Sequence, residues 1–145
     1  MASLVDTNVL VYVHDPRSPA KQKRAIEVLE RGCAEGTLAL PHQAVIEFVA
    51  ATTRPRAGGP LLDLAEAVRE ADEFLLKYEV LYPRPEVVRT ALHGAVVYGL
   101  PWYDAHLWAY AEHFRCPEIL SEDFVHGRYY GSVRVVDPFR EGPGA

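Results

Sequence analysis

SLVDTNVLVYV, residues 3–13, is the stretch of the chain that decides the fold prediction. It begins with a short apolar segment around Leu4, which we interpret as a buried strand. The strand ends at Asp6, and an apolar run at 9–13 follows the polar residues. A buried strand that ends in an acid at the start of the chain is the reference point for the rest of the sequence.

Strand and helix patterns alternate along the remainder of the chain. The further strand patterns lie at 37–40, 80–82, 118–120 and 133–136. The helix patterns lie at 19–36, 41–52, 61–79, 85–98 and 102–114. Alternating strands and helices are typical of a mainly parallel sheet that is covered by helices on both faces. We therefore predict an α/β fold with three layers, a short mainly parallel sheet flanked by helices.

Length and composition narrow the possible functions. The 145 residues fit one domain, so we predict a single domain over residues 1–145. The net charge of −5 argues against a protein that coats nucleic acid, although an enzyme can meet nucleic acid through metal ions and a small basic patch. The two cysteines have no zinc-site spacing, and no apolar run reaches the ~20 residues of a membrane span. We expect a cytoplasmic protein with no membrane partner.

Four acidic residues occupy positions where a site could form. Asp6 and Asp123 follow the carboxyl ends of two predicted strands, and sites in parallel sheets form beyond such ends. Glu47 and Asp104 fall in apolar stretches of helices, where a buried carboxylate is costly unless it is paired or bound to a metal. If the four converge, their repulsion requires cations or protons. Oxygen donors of this kind favour Mg²⁺ or Mn²⁺.

Each acid also has an ordinary structural explanation. Asp6 could cap the segment that follows it, and Glu47 could face solvent. Asp104 lies three residues after Pro101, in a first helical turn, where a negative charge is favoured by the helix dipole. Asp123 could be an ordinary loop residue. The set of four therefore carries more information than any one member.

Four segments of the chain together resemble the PIN-domain ribonucleases, and among them the VapC-type toxins of toxin–antitoxin pairs. The segments are LVDTNVL at 4–10, VIEF at 45–48, WYDAHLWAYA at 102–111 and ILSEDF at 119–124. Their order and spacing match over nearly the whole chain. The resemblance implies a PIN-like form of the three-layer fold. It also implies hydrolysis of RNA phosphodiester bonds that depends on Mg²⁺ or Mn²⁺.

The resemblance further implies roles for individual residues. It places four acids at the catalytic positions: Asp6, Glu47, Asp104 and Asp123. The three aspartates would be metal ligands, and the glutamate a further ligand or an orienting group. Asn8 and Ser121 match polar positions that support the acids through hydrogen bonds. Either Glu122 or Asp123 could face the metal, and the Ser-x-Asp spacing favours Asp123.

Basic residues near the acids are candidates for holding the RNA backbone, because a polyanion needs cations. The candidates are Lys21, Arg24, Arg54 and Arg56. The first two belong to a basic run that follows the Asp6 segment, and the last two follow Glu47 by seven and nine residues. The alternative for each of them is a solvated helix face or loop.

The resemblance also implies partners. The chain would be the toxin of a type II pair, inhibited by a small antitoxin protein whose C-terminal segment covers the acidic pocket. The apolar helices at 41–53 and 61–79 are candidates for the groove that receives it. Homodimers are common in the family, so a homodimer is expected as well.

The alternative function is a catalytically silent PIN-like or receiver-like α/β interaction module. A receiver domain also uses Mg²⁺ and acids at strand ends. It normally has an adjacent acid pair after its first strand and a lysine at a later strand end. Here Asp6 stands alone, and no lysine follows Lys77. These differences favour the nuclease over a receiver.

Overall fold

Strands and helices alternate along the chain in the computed structural model, which describes residues 2–140. The strands are β1 (Ser3–Val5), β2 (Leu38–Pro41), β3 (Glu79–Leu81), β4 (Glu118–Leu120), β5 (Tyr129–Tyr130) and β6 (Val133–Val136). The helices are α1 (Thr7–Tyr12), α2 (Pro19–Glu35), α3 (His42–Thr52), α4 (Leu64–Lys77), α5 (Pro85–Tyr98) and α6 (Trp102–His113). The predicted domain of residues 1–145 includes Met1 and residues 141–145, which lie outside the described residues.

The sheet has the strand order β3-β2-β1-β4-β6-β5, and its pairs are parallel except for β5 with β6. The chain runs outward from β1 through β2 to β3 and then returns to place β4 on the other side of β1. The strand order therefore reverses between β1 and β4. In open α/β sheets, ligands bind outside the carboxyl ends of the strands at such a switch point.

Helices cover both faces of the sheet because successive strand residues point to opposite sides. Leu4 and Ile119 belong to the core beneath α5 and α6. Their neighbours Val5 and Leu120 belong to the core beneath α1, α2, α3 and α4. The prediction of a three-layer α/β fold with a mainly parallel sheet is confirmed.

The observed bounds of helix α2 agree with residues that commonly mark the beginning and the end of a helix. It begins at Pro19 and ends at Gly36, whose φ of 66° is the left-handed conformation that glycine adopts without strain. Ser18 occupies the position before the helix, but its side chain makes no capping hydrogen bond. The proline at the first helical position therefore carries the start signal here.

Helix α4 departs from its prediction at both ends and in the face that it buries. It spans 64–77 instead of 61–79, because the Asp63 side chain accepts a hydrogen bond from the Glu66 amide and caps the helix. The helical spacing of the sequence predicts one apolar face, formed by Leu64, Ala67, Val68, Ala71, Leu75 and Tyr78. Ala67 is buried and Tyr78 packs against the core, as predicted, whereas Leu64, Val68 and Leu75 are about half exposed or more. Phe74 is buried instead, and an apolar stripe remains on the surface.

Within the described residues, no helix is both long enough and apolar enough to cross a membrane.

Candidate active site

One pocket of about 270 Å³ at the carboxyl end of the sheet brings together all four predicted acids. They are Asp6, Glu47, Asp104 and Asp123. Gln43, Arg54 and Tyr103 also line it. The acids come from the end of β1, from α3, from the first turn of α6 and from the segment after β4. The fold therefore gathers charges that are up to 117 positions apart in the sequence.

Asp6 is held at the boundary between β1 and α1. Its backbone amide donates to the Leu120 carbonyl at 3.0 Å, which continues the pairing of β1 with β4. One carboxylate oxygen accepts from the Thr7 amide at 2.7 Å and so caps α1, and the other accepts from the Ser121 hydroxyl at 2.6 Å. The side chain is buried and has hydrogen bonds on both oxygens. The capping role and the site role of Asp6 therefore coexist.

The electrostatic state of Asp6 is unusual for an aspartate. Burial raises its pKa from 3.8 to about 7. The hydrogen bond from Ser121 opposes this shift, while the negative charges of Asp123 and Asp104 add to it. A raised carboxyl pKa with neighbouring like charges is typical of functional sites. A cation in the pocket would favour the ionised form.

Glu47 lies in the middle of α3 and faces the pocket. Its two carboxylate oxygens accept hydrogen bonds from the Thr7 hydroxyl at 2.7 Å and from the Gln43 amide at 3.0 Å. The same Gln43 amide lies 3.3 Å from the Tyr103 carbonyl, so it also links α3 to α6. Neither Thr7 nor Gln43 was predicted from the sequence to belong to the site. Gln43 lies one turn before Glu47 on the same helix face, which is the signal that could have found it.

Asp104 is half-buried in the first turn of α6. Burial raises its pKa, and the negative charges of Asp123 and Glu47 raise it further. Its position near the helix N-terminus works in the opposite direction, because the helix dipole favours a negative charge there. The three carboxylates therefore influence one another across the pocket.

Asp123 faces the pocket, and Glu122 turns away from it. Asp123 accepts a hydrogen bond from the Asn8 amide at 3.1 Å, and its own backbone amide donates to the Ser121 hydroxyl at 3.1 Å. The carboxylate of Glu122 instead accepts from Tyr12 and Lys21. Asn8 and Ser121 each contact a site aspartate, as the resemblance implies. This arrangement favours Asp123 over Glu122 as the acid of the site.

The donor set suits a hard divalent cation in chemical type, because it consists of carboxylate oxygens with an excess of negative charge. The carboxylates of Asp6, Glu47 and Asp123 nevertheless accept hydrogen bonds from protein donors. Among residues 2–140, no group of three or more His, Cys, Asp or Glu side chains is arranged so that it could hold a metal ion. The acids therefore share a pocket but do not form a converged set of ligands.

The four basic candidates lie in different surroundings. Arg54 is exposed and lines the acidic pocket. Lys21 forms an ion pair with Glu122 at 2.7 Å. Arg24 donates to the Pro138 carbonyl at 2.8 Å, and Arg56 donates to the Ala51 carbonyl at 2.9 Å. Of the four, Arg54 is the residue that the structure brings together with the acids.

Comparisons with known proteins agree with this architecture. The family model described as "PIN domain" matches residues 3–131. A toxin–antitoxin complex from Klebsiella pneumoniae contains a similar chain at 17% identity and a TM-score of 0.69, covering 94% of this chain and 98% of that one. The structure of VapBC2 from Rickettsia felis, solved with a DNA fragment from its promoter, contains a chain that is 12% identical with a TM-score of 0.66. The alignment covers 93% of this chain and 97% of that one.

A third solved structure is VapC20 from Mycobacterium tuberculosis, described as a toxin that cleaves the sarcin–ricin loop. It is 16% identical with a TM-score of 0.61, and the alignment covers 84% of this chain and 90% of that one. At these identities the three structures show a shared fold. No curated protein gives a significant sequence match.

We predict that Asp6→Asn changes the pH dependence of stability in the absence of divalent cations. The folded wild type retains a proton on Asp6 between pH 3.8 and about 7 that the unfolded chain releases. Its stability therefore falls as pH rises through this window. The variant has no such loss and gains roughly 2 kcal/mol relative to the wild type between pH 5 and pH 8, at 1.36 kcal/mol per pKa unit with a discount for the coupled charges.

Urea denaturation in EDTA at the two pH values measures this difference. Asp72→Asn on the exposed side of α4 is the matched control and should follow the wild type. An identical pH dependence for wild type and Asp6→Asn would contradict the assignment.

Proposed function

The chain belongs to the PIN domain family, and we propose that it is a cytoplasmic, metal-dependent endoribonuclease that acts as the toxin of a type II toxin–antitoxin pair. The observation that carries the proposal is one pocket lined by four carboxylates at the switch point of the sheet. Family membership and the toxin–antitoxin neighbours support a nuclease of this class. A single domain over residues 1–145 is part of the proposal.

The side chains have distinct roles in the proposed reaction. Asp6, Asp104 and Asp123, which line one pocket without converging on one point, would have to draw together to hold Mg²⁺ or Mn²⁺. The bound ion would offset their charge and activate water for attack on phosphorus. Glu47, whose carboxylate is oriented by Thr7 and Gln43, would accept the proton that the water releases. Asn8 and Ser121 would fix the directions of Asp123 and Asp6, respectively.

The RNA must be held beside a strongly negative pocket, which requires a cation and a surface for the bases. Arg54 supplies the cation at the rim. Tyr103 is 70% exposed and lines the same pocket, so its ring is available to stack on an unpaired base. Both features fit a single-stranded segment of RNA better than a duplex.

The antitoxin would bind an apolar groove of about 410 Å³. The groove is lined by α2, by α4 and by the end of α1, whereas the sequence suggested the helices at 41–53 and 61–79. Its apolar walls are Leu10, Ile26, Leu29, Phe74 and Tyr78. Three glutamates and one lysine lie at its edges: Glu30, Glu70, Glu73 and Lys77. An amphipathic segment with basic residues has the complementary character.

The expected homodimer has a candidate surface of its own. Val88, Leu92 and Val96 recur every fourth residue on α5, and all three are exposed. Residues four apart lie on one face of a helix, so these valines and leucine form an apolar stripe. Such a stripe is suited to burial against a second copy of the chain.

The alternative of a catalytically silent PIN-like module has one observation in its favour. The acids of the described residues do not form a converged metal-binding group. A module without chemistry would bind partners but would neither take up a divalent ion nor cut RNA, so one cleavage experiment separates the two functions.

We expect discrete RNA cleavage that requires Mn²⁺ or Mg²⁺ and stops in EDTA. The purified chain is incubated with tRNA, with mRNA and with rRNA fragments, one of which contains the sarcin–ricin loop. Asp104→Asn should lower the rate by at least about 100-fold, because it removes a charged ligand oxygen. Attack by water without the 2′-hydroxyl leaves 5′-phosphate and 3′-hydroxyl ends.

Asp72→Asn is the control for this assay and should cut like the wild type. Equal cleavage by Asp104→Asn would indicate a contaminating nuclease. Products with 2′,3′-cyclic phosphate ends would exclude the proposed reaction. Absence of cleavage and of metal binding in a sample free of antitoxin would favour the silent module.

Arg54→Gln should weaken RNA binding without slowing the chemical step. We expect KM to rise about tenfold, with kcat within about twofold of the wild type, because one charge-assisted phosphate contact is lost. The slope of log KM against log salt should fall by about 0.7 for a single strand. Arg69→Gln, on the exposed side of α4, is the matched control. An unchanged KM and salt slope would remove Arg54 from the RNA-binding surface.

The toxin role predicts that induced expression of the chain arrests growth of a bacterial host. Asp104→Asn, produced at the same soluble level, should permit growth, because toxicity depends on the acidic site. Immunoblotting checks the protein levels, and total RNA is inspected for cleavage after induction. Normal growth with soluble wild type present, or equal arrest by the variant, would contradict the toxin role.

A further inference from the structure

A second polar cluster surrounds Glu122, the residue that precedes Asp123 in the chain. We name it the Glu122 cluster, and it consists of Tyr12, Lys21, Glu122 and Phe139. The Tyr12 hydroxyl donates to one oxygen of Glu122 at 2.5 Å, and the Lys21 ammonium donates to the other at 2.7 Å. Lys21 also lies 3.3 Å from the Tyr12 hydroxyl, which closes a triangle of three polar groups.

Aromatic rings cover this triangle. The Lys21 nitrogen is 5.0 Å from the centroid of the Tyr12 ring and 5.7 Å from that of Phe139. The two rings meet edge to face with their centroids 5.0 Å apart. The Glu122 side chain is 19% exposed, so its ion pair with Lys21 is partly shielded from water. A fully solvated ion pair would do little to fix the position of either side chain. The cluster can therefore hold Glu122 in one position.

The segment that carries Glu122 needs such anchors. Residues 121–124 have no helix or strand structure, although Asp123 belongs to the acidic pocket. Ser121 is tied to the sheet through its amide and the Val136 carbonyl, and Phe124 is buried in the core. Between these two ends, the position of Asp123 depends on its own contacts and on those of its neighbour Glu122.

Helix α1 holds both acids from one face. Asn8 donates to Asp123 at 3.1 Å, and Tyr12 donates to Glu122. Asn8 and Tyr12 are four residues apart, a spacing that places them on the same face of a helix. Lys21 adds a contact from α2. Two consecutive acids are thus held against one short helix.

We propose that the Glu122 cluster is a positioning device for Asp123, which sets the affinity of the acidic pocket for a divalent cation. The inference rests on the proposed function and goes beyond it, because Tyr12, Lys21 and Glu122 are not among the residues that line the acidic pocket. It also gives Lys21 a role different from phosphate binding. Substitution of residues that orient metal ligands typically weakens metal affinity by ~10–100-fold.

The test is Mn²⁺ binding to the full chain without RNA, measured by the electron paramagnetic resonance signal of free Mn²⁺. We expect Lys21→Met and Tyr12→Phe each to weaken Mn²⁺ binding about tenfold, and Lys21→Arg to restore most of it. Charge alone predicts the opposite for Lys21→Met, because removal of a positive charge near the pocket favours cation binding. Lys23→Met, an exposed substitution on the same helix with the same charge change, is the matched control.

Thermal unfolding in EDTA separates positioning from a general loss of structure. Tyr12→Phe retains the ring and its packing, so its melting temperature should stay close to that of the wild type while its Mn²⁺ affinity falls. Mn²⁺ affinity in Lys21→Met and Tyr12→Phe equal to or higher than in the wild type would overturn the positioning role and leave the proposed function standing. A change in RNA affinity alone for Lys21→Met would assign Lys21 to the RNA instead. A wild type that neither binds Mn²⁺ nor cuts RNA would overturn both proposals.

Discussion

Mutual repulsion of carboxylates at the carboxyl end of the sheet is the constraint that the rest of the site must satisfy. Asp6 is the most buried of them, and its pKa is raised to about 7 by that burial and by the charges of Asp123 and Asp104. The hydrogen bond from Ser121 partly offsets the cost and joins the ends of β1 and β4. Asp6, whose carboxylate is the most buried of the four, therefore also links β1 to β4, the two strands between which the strand order reverses.

The alternation of elements was predictable because it depends on local apolar patterns, whereas the face of α4 was not. Leu64, Val68 and Leu75 have helical spacing, but so do Ala67 and Phe74, which the core takes instead. A helix that is apolar on two sides does not reveal which side is buried. That choice depends on Phe48 of α3, whose ring meets Phe74 with 4.9 Å between centroids.

Local sequence patterns also did not predict the short strand β5. It contains only two residues, and a pair of tyrosines near Gly127 and Gly131 is equally typical of a loop. The strand exists through pairing with β6 and through the Trp108 indole, which donates to the Tyr130 carbonyl at 2.9 Å. The pairing with β6 is a tight hairpin between residues close in sequence, but the Trp108 contact joins residues 22 positions apart, which no local pattern connects.

The sequence showed which residues of the site are charged, but it did not show the direction in which each side chain points. The acids that line the pocket could be named from motifs and from their places at strand and helix ends. Thr7 and Gln43 both bind Glu47, but they are neutral and no supporting role for them followed from the resemblance, so they were overlooked. Lys21 and Arg56 were candidates for RNA binding by charge, yet one pairs with Glu122 and the other donates to a backbone carbonyl. Side-chain direction depends on neighbours that the fold supplies.

Helix α1 explains why one opening segment governs both fold and site. A six-residue helix has little stability of its own, so it persists through its contacts. Val9 and Leu10 anchor it in the core, and its polar positions form hydrogen bonds with acids from three places. These bonds cap the helix at Asp6 and join Thr7 to Glu47, Asn8 to Asp123 and Tyr12 to Glu122. Because the same bonds stabilise α1 and orient the acids, the helix and the pocket depend on each other. The apolar residues of the segment pack α1 against the sheet, whose strand ends carry charged side chains. This packing fixes the position of the helix relative to the pocket.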